Sequence, residues 1–269
     1  MSELSLQCFK QFAEIVYKNS GIHIRPDKKS LLQSRLTKLM RREKIPDYKS
    51  LLETLESGRE PRLLTEFIDV VSTNVTRFFR EIQHFDFIRD RFIPELLKQQ
   101  KREIRVWSSA CSSGQEPYSV LIHLLEHLPE PKSWNIQFLA TDISTKVLRF
   151  AQAGIYSEEA LAEISPSLRD KYFEEIEDGY FRIHEALKQQ IRFRHFNLMQ
   201  PFPFRHKFDL VLCRNVMIYF NSETQKQLVD KFKTCIRKEG YLIVGLSEAL
   251  SKTDHGLQFV KSSVYQVKR

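Results

Sequence analysis

From residue 104 onward, short apolar runs alternate with segments of helical period. The runs are rich in β-branched residues, which favours buried strands. Strands connected by helices in this way are typical of βαβ units, and they predict a mainly parallel sheet and an α/β fold. Strands are predicted at 104–107, 136–140, 191–196, 210–213 and 241–244, and helices at 117–128, 144–154 and 223–238.

Two short stretches depart from the alternation. Asp178-Gly179 stands between alternating residues at 172–183, which is the signature of a β-hairpin inserted in the α/β unit. Near the end of the chain, 257–260 and 264–267 are predicted to form two antiparallel edge strands.

The first 73 residues show helical period only. Apolar residues recur every three or four positions in 6–16, 27–44, 47–55 and 61–71. We therefore expect three parts. An all-helical domain covers 1–73, a linker with a connecting helix covers 74–103, and an α/β domain covers 104–269 with the hairpin subdomain at about 172–184.

Positive charge is concentrated near the N-terminus. The chain has a formal net charge of +8, and its first 50 residues hold 11 Lys/Arg against 5 Asp/Glu. The predicted helix at 27–44 is almost free of acids. It is either a solvated face or a surface for an acidic partner, which would be nucleic acid or protein.

The cysteines and the hydropathy of the sequence limit the cellular compartments in which the protein is expected. Cys8, Cys111, Cys213 and Cys235 are scattered without the spacing of metal ligands. No apolar stretch has the length of a membrane span, and the N-terminus lacks the apolar core of a signal peptide. We expect a reduced, cytoplasmic protein without disulfides, metal or membrane insertion.

The segment 209–220 carries the clearest chemical signal. Its apolar run ends in Arg214 and Asn215, and Tyr219 follows. Open α/β sheets bind ligands at the carboxyl ends of their strands, so these side chains are candidates for a site. The polar end of this segment, 214–220, lacks an acid, a base and a metal cluster, which indicates a site that positions reactants rather than moving protons.

The loop after the first predicted strand runs through small residues to Gly114 and Glu116. It lacks the lysine of a phosphate-binding loop. Glu116 would suit an ammonium group, or it is an ordinary first-turn residue favoured by the helix dipole. Asp142, at the end of the second strand, is either a ribose ligand or a helix cap. Together they fit S-adenosylmethionine better than NAD or ATP.

Several motifs in order resemble the chemotaxis-receptor methyltransferases, the CheR family. The resemblance spans roughly residues 20–265, and its last motif is highly specific. The shared motifs are N-x-T-x-F-F-R-E at 74–81, S-x-x-E-P-Y-S closely matched at 112–119, T-D-I at 141–143, G-I-Y at 154–156, F-N-L at 196–198 and C-R-N-V-M-I-Y-F at 213–220.

This resemblance implies a Rossmann-like S-adenosylmethionine-dependent methyltransferase sheet, an N-terminal all-helical domain and a small inserted β-subdomain. In role, Asp142 would hold the ribose, Asn197 and Leu198 the adenine edge, Glu116 the amino-acid end, and Arg80 the carboxylate. The cofactor contacts carried over are Asn74, Thr76, Arg80, Glu116, Asp142, Asn197, Leu198, Asn215 and Val216.

The chain also departs from the family's pattern at two motifs. Gln115 replaces one acid of a T-G-E-E-P motif. Leu246 replaces the histidine of a late G-H-S-E motif, so any polar role at that position is lost.

The implied reaction is methyl transfer to glutamate side chains of a receptor's cytoplasmic helical bundle, which gives methyl esters and S-adenosylhomocysteine. Tyr219 is the candidate catalytic residue beside the acceptor oxygen. A nearby cation, one of Lys98, Lys101 and Arg102, would hold the acceptor. The candidates for receptor docking are Arg35, Lys38, Arg41 and Arg42.

The resemblance also bears on the partners. The short hairpin at 172–183 favours an enzyme that needs no receptor C-terminal peptide as a tether. A monomer that binds no nucleic acid is expected.

Two other functions stay open. A nucleic-acid methyltransferase would also suit a basic helical domain. However, amino-methylating enzymes of that class usually carry N/D-P-P-Y where Arg214 to Met217 stand, and Cys213 is not followed by the sequence of a cytosine enzyme. A non-catalytic module that binds the cofactor is the second alternative.

Overall fold

The computed structural model describes residues 3–99, 101–250 and 255–268. Its N-terminal part is all-helical. Ser5 and Asp47 accept backbone N–H groups as N-caps, Pro61 begins the fourth helix, and Gly21 ends the first in a left-handed conformation with φ 73°. The helices are α1 (Leu6–Ser20), α2 (Lys29–Glu43), α3 (Tyr48–Ser57) and α4 (Pro61–Val71).

The apolar stripes of these four helices form one core. Phe12 lies against both Tyr48 and Phe67, with ring centroids 6.3 and 5.7 Å apart. Leu36 of α2 is fully buried in the same cluster. The predicted helices at 27–44, 47–55 and 61–71 are confirmed, although the first opens with a 3₁₀ turn at Pro26–Lys28.

An extended segment, 72–80, leads into a helix that packs on the sheet. The helix consists of α5 (Ile82–Phe87), a π-helical stretch (Ile88–Phe92) and α6 (Ile93–Leu97). Phe87 and Phe92 both contact the ring of Tyr241, at 5.0 and 6.1 Å between centroids. These contacts fix this helix on the sheet.

A seven-stranded sheet forms the centre of the second part. Its strand order is β6-β2-β1-β7-β8-β10-β9, and all neighbours are parallel except those of β10. The strands are β1 (Glu103–Ser108), β2 (Asn135–Asp142), β6 (Ile191–His195), β7 (Phe208–Cys213), β8 (Ile236–Val244), β9 (Leu257–Lys261) and β10 (Val264–Val267). The helices are α7 (Gln115–His127), α8 (Thr145–Ala153), α10 (Glu185–Lys188) and α11 (Ser222–Cys235).

The pairing of β1 with β7 determines where a ligand can bind. Val106 pairs with Leu210 and Ser108 with Leu212, so strands far apart in sequence are neighbours at the centre of the sheet. Every residue of β7 is buried, as its apolar run predicts. The loops after β1 and β7 therefore meet at one edge, which is where open α/β sheets bind ligands.

The inserted subdomain has three strands. The predicted hairpin is confirmed as β4 (Phe173–Glu177) and β5 (Tyr180–Ile183), preceded by α9 (Pro166–Tyr172). A third strand, β3 (Ile155–Ser157), pairs with β5. It was not predicted because three residues are too few to show a period.

Some predicted boundaries are wrong. The helix predicted at 223–238 ends at Cys235, and 236–238 begin β8. Charged residues at 237–239 hid this strand start, and Phe208 pairs there with Ile236 before the register shifts. Of the two predicted edge strands only β9 lies at the edge, because β10 is inserted between β8 and β9. The helix predicted at 117 begins at Gln115.

No helix in the described ranges is long and apolar enough to cross a membrane.

Candidate active site

A cleft lies where the helical part, the extended segment and the carboxyl edge of the sheet meet. It encloses about 1000 Å³ of space that no protein atom fills, including its opening to solvent. All nine predicted cofactor residues line it, and so does Tyr219. The lining residues among the predicted set are Asn74, Thr76, Arg80, Glu116, Asp142, Asn197, Leu198, Asn215, Val216 and Tyr219.

The loop after β1 is held in a close turn. Gly114 has φ 96°, and a Cβ there would lie 2.9 Å from both the Cβ of Ala151 and the hydroxyl of Tyr156. Tyr156 donates a hydrogen bond to the carbonyl of Ser113 at 2.7 Å. The turn therefore requires glycine, and it brings the small residues Ser109 and Ala110 to the cleft wall, where a ligand can approach the backbone.

Asp142 presents a buried carboxylate to the cleft. It accepts the backbone N–H groups of Ser112 at 2.8 Å and Ser144 at 2.9 Å. Burial raises its pKa, and these two hydrogen bonds partly offset the effect. The cap of α8 is Ser144, which accepts from Val147. A carboxylate has about four acceptor positions, so Asp142 can still accept from ligand hydroxyls.

Arg214 holds two acids together, and its role was not predicted. Its side chain is 2% exposed and lies 3.0 Å from Glu116 and 3.1 Å from Glu81. It also donates to the carbonyl of Arg80. The triad thus ties the extended segment to the loops after β1 and β7. The only sequence signal was an arginine directly after a buried strand, which requires buried acids nearby.

The two acids of the triad formed by Arg214, Glu116 and Glu81 have pKa values shifted in opposite directions. Burial raises the pKa of Glu116, although Arg214 and Ser108 favour its charged form. Burial would also raise the pKa of Glu81, but Arg214 and the hydrogen bonds from Asn215, Arg214 and Leu246 outweigh it, and the pKa is lowered. Each oxygen of Glu116 already accepts from a protein donor, Ser108 at 2.7 Å or Arg214. A ligand ammonium would therefore share this carboxylate.

Glu248 shapes the turn after β7, and it was also missed. Its carboxylate accepts the backbone N–H groups of Asn215 at 2.6 Å, Gly245 at 2.7 Å and Ile218 at 3.1 Å. Asn215 is left-handed at φ 57°. A buried acid thus stabilises the strained turn that carries Asn215 and Tyr219. The motif at 245–248 contains this acid, and its spacing from the turn carried no sign of the bonds that Glu248 makes in the fold.

The loop after β6 is tied to the helical part. The Asn197 amide donates to the carbonyl of Asn19 at 2.6 Å, and its oxygen accepts from Met199 N–H at 2.9 Å. Lys231 donates to the carbonyls of Leu198 and Gln200. Each polar end of the Asn197 side chain thus already has one partner within the protein.

Tyr219 has a free hydroxyl. Its carbonyl accepts from His23 N–H at 2.7 Å, which fixes the backbone. In the described ranges the hydroxyl has no hydrogen-bond partner. The half-buried ring lines both the cleft and a second groove on the helical side. It is thus the predicted residue best placed to meet a substrate from outside.

The cation predicted to hold the acceptor is not among Lys98, Lys101 and Arg102. Arg102 lies at the amino end of β1, over the ring of Trp134, whereas the cleft is at the carboxyl end. A strand of this length spans ~20 Å, so the prediction is wrong. The cations that line the cleft in the described structure are Arg77, Arg80 and Arg214.

The predicted docking residues fall into two groups. Arg35 donates to the carbonyls of Val71 and Ser72 and to Thr73, so it fixes the end of α4. Arg42 pairs with Glu43 and Glu66. Lys38 and Arg41 are exposed and have no ion pair in the described part of the chain.

The described cysteines are all free, and no group of three or more metal-ligating side chains occurs among the described residues.

Comparisons with known proteins agree on one family. The family model "CheR methyltransferase, SAM binding domain" matches residues 74–266, and "CheR methyltransferase, all-alpha domain" matches 7–72. A chemotaxis protein methyltransferase of Borreliella burgdorferi is 39% identical over 259 residues, which cover 94% of this chain and 91% of the relative. A probable chemotaxis protein methyltransferase of Rhizobium etli is 37% identical, covering 88% and 90%. A chemotaxis protein methyltransferase of Vibrio parahaemolyticus is 32% identical, covering 98% of both chains.

Proposed function

The chain belongs to the CheR methyltransferase family and is an S-adenosylmethionine-dependent methyltransferase of chemotaxis, and we propose that its acceptors are glutamate side chains of a chemoreceptor's cytoplasmic helical bundle. The observation that carries this proposal is the position of Tyr219, which lines both the cofactor cleft and a groove on the basic helical side and whose hydroxyl has no hydrogen-bond partner among the described residues. The site joins a cofactor pocket to an entrance that suits an acidic macromolecule.

The polar side chains that line the cleft match the polar groups of the cofactor. When bound, S-adenosylmethionine supplies a methyl group made electrophilic by its sulfonium centre. We propose that Asp142 accepts from the ribose hydroxyls, because its carboxylate is buried and only partly used. Glu116 takes the ammonium group, and Arg80 the carboxylate.

The remaining predicted contacts complete the pocket. Leu198 and Val216 supply apolar surface, and Asn197 brings its loop to the adenine edge. Asn74 and Thr76 close the cleft from the extended segment, and Asn215 lies beside Glu81, with 3.3 Å between its amide nitrogen and the carboxylate.

The chemistry asks little of the protein beyond alignment. A free glutamate has a pKa of ~4.3, so the acceptor arrives ionised and no general base is required. We propose that the Tyr219 hydroxyl donates a hydrogen bond to the acceptor carboxylate and orients one oxygen for in-line attack. With the cofactor bound, its methyl–sulfur bond would break as that oxygen forms the ester, and the electron pair would stay on sulfur in S-adenosylhomocysteine.

Docking of the receptor follows from charge. Lys38 and Arg41 are exposed on α2 and lack ion pairs in the described ranges, so they can attract an acidic helical bundle. Arg35 and Arg42 add positive charge to the same helix, although both also hold the fold together.

We further propose that the enzyme works in the cytoplasm as a monomer, without a receptor tether and without nucleic acid. The proposed division of the chain places the helical docking domain at 1–73, the linker with its connecting helix at 74–103, and the methyltransferase domain at 104–269.

The decisive test is a methyl-transfer assay with radiolabelled cofactor. The full chain is incubated with receptor cytoplasmic fragments or with RNA, and labelled product is then exposed to mild base. Base-labile label on the receptor, absent with RNA, is the expected result. Base-stable label on RNA would identify a nucleic-acid enzyme, and cofactor binding without transfer to either would indicate a non-catalytic module. An Asp142→Ala variant controls for transfer that does not use the cleft.

A further inference from the structure

A second groove opens beside Tyr219 and runs along the N-terminal half of α2. It holds about 1210 Å³ of open space. Its walls are the α1–α2 connection, the face of α2 that carries Leu31, and the turn that carries Ile218 and Tyr219. Val71, Thr73, Tyr219 and Phe220 line both this groove and the cofactor cleft, so the two spaces adjoin at these residues.

Two exposed apolar side chains line this groove from different elements. Leu31 of α2 is 47% exposed, and Ile218, next to Tyr219, is 51% exposed. Single exposed apolar residues are ordinary on protein surfaces. Here, however, two of them line one groove that ends at the candidate catalytic hydroxyl.

Leu31 interrupts a basic stripe. Residues spaced alternately three and four apart lie on one face of a helix, and here that face carries mostly cations. The members of the stripe are Lys28, Leu31, Arg35, Lys38 and Arg42. Among the described residues, Lys28 pairs with one acid, Asp27, at 3.3 Å, and Asp27 also lies 3.6 Å from Arg25. The partners of Arg35 are carbonyls and a hydroxyl rather than carboxylates, so its charge stays available.

These observations define the occupant. A cationic groove with apolar contacts suits an acidic amphipathic helix, because such a helix presents carboxylates and apolar groups at the same three- and four-residue spacing. A nucleic acid would match the charge, but its backbone offers no counterpart to Leu31 and Ile218.

We propose that Leu31 and Ile218 form an apolar clasp for a hydrophobic residue of the receptor helix, one helical turn from the glutamate that enters past Tyr219. This inference rests on the proposed function and deepens it, because it assigns substrate selection to two residues. The clasp sets the register of the acceptor helix. The glutamate one turn from the bound apolar residue reaches the cleft, and the next carboxylates lie over Arg35 and Lys38.

The test distinguishes binding of the receptor helix by the clasp from the methyl-transfer reaction itself. Steady-state methylation of a receptor cytoplasmic fragment is measured for the wild type, Leu31→Ser and the double variant L31S/I218S. The control is L97S/F259S, two apolar residues that are 40% and 64% exposed and lie away from the groove. S-adenosylhomocysteine affinity is measured by calorimetry, and folding by circular dichroism.

We expect KM for the fragment to rise at least fivefold in Leu31→Ser and further in the double variant. Cofactor-product affinity should stay within twofold, and the control should match the wild type. The conservative variant L31M should restore KM. If wild-type protein methylates the fragment and KM in L31S/I218S is unchanged, the clasp is wrong while the proposed function stands. If the wild type methylates no receptor fragment, the proposed function itself fails.

A competition experiment tests whether RNA binds the same groove. RNA that displaced the receptor fragment equally from wild type and L31S/I218S would show that the groove binds phosphates through charge alone, and it would overturn the clasp. Failure of RNA to compete at physiological salt is the expected outcome.

Discussion

Arg214 lies 3.0 Å from the carboxylate of Glu116, 98 residues earlier in the chain, and joins the loop after β7 to the helix after β1. On its other side the same guanidinium pairs with Glu81, which ends the extended segment. One buried cation therefore fixes three pieces of the cleft wall relative to each other.

Removing the cation should cost far more than removing the whole triad. In Arg214→Met two buried carboxylates lose their partner, so we expect the free energy of unfolding to fall by about 3–5 kcal/mol. The triple variant R214M/E81Q/E116Q, which leaves no unpaired charge, should recover more than half of that loss. Urea denaturation measures both. Equal destabilisation of the single and triple variants would contradict a charge-pairing role.

Glu248 should matter for turnover although it lies outside the predicted cofactor set. In Glu248→Ala three backbone N–H groups of the turn lose their acceptor, and the positions of Asn215 and Tyr219 loosen. Loss of charged hydrogen bonds worth about 1.5–3 kcal/mol each predicts at least a tenfold fall in kcat/KM. The exposed Glu56→Ala is the matched control. Wild-type kcat/KM in Glu248→Ala would show that the turn holds without this carboxylate.

The sequence predicted the pieces of this site better than the bonds between them. Buried strands such as β7 can be predicted because their apolar composition is a local property of the sequence. The turn at Gly114 can be predicted for the same reason. The ion pairs of Arg214 and the hydrogen bonds of Glu248 depend on which strands become neighbours, and β1 pairs with β7 across about a hundred residues of chain. A charged residue gives no local sign of its partner. The misplaced start of β8 has a similar cause, because Ile236 becomes a strand residue only by pairing with Phe208.

Receptor docking should respond to charge on α2 and not to charge elsewhere. In K38E/R41E two exposed cations become acids, so we expect KM for a receptor fragment to rise about tenfold or more at low ionic strength, and less at high salt. S-adenosylhomocysteine affinity should not change. The matched control is K146E/R149E, which reverses two exposed cations at the same spacing on α8. A similar rise in both variants would mean that net charge, rather than this surface, governs docking.

His84 should make the protein sensitive to acid. Burial, and secondarily the charge of Arg214, lowers its pKa to about 3, whereas an unfolded histidine titrates near ~6.5. Between these values the unfolded chain binds the proton and the folded protein does not, so stability is fully present above pH ~6.5 and is lost as pH falls toward 3.

Replacing His84 by Gln removes that proton from the balance while keeping a donor near Ser263, which lies 2.6 Å from the imidazole nitrogen. From pH 5.5 to 4.5 the wild type should lose about 1.4 kcal/mol more stability than His84→Gln. Urea denaturation at the two pH values measures the difference, with the exposed His206→Gln as control. Parallel losses in wild type and His84→Gln would exclude His84 as the acid-sensitive group.

Tyr219 carries the prediction closest to the chemistry. Phenylalanine keeps the aromatic ring of a residue that lines both the cleft and the groove, and it removes only the hydroxyl, which no described residue uses. If that hydroxyl orients the acceptor carboxylate, its loss removes a charge-assisted hydrogen bond worth about 1.5–3 kcal/mol, and kcat should fall roughly 10- to 100-fold. S-adenosylhomocysteine affinity should be retained, because the acceptor, not the cofactor, loses its contact. Tyr180→Phe, at a tyrosine that is 51% exposed on the β-subdomain, controls for the substitution itself. Unchanged kcat in Tyr219→Phe would remove Tyr219 from the catalytic set.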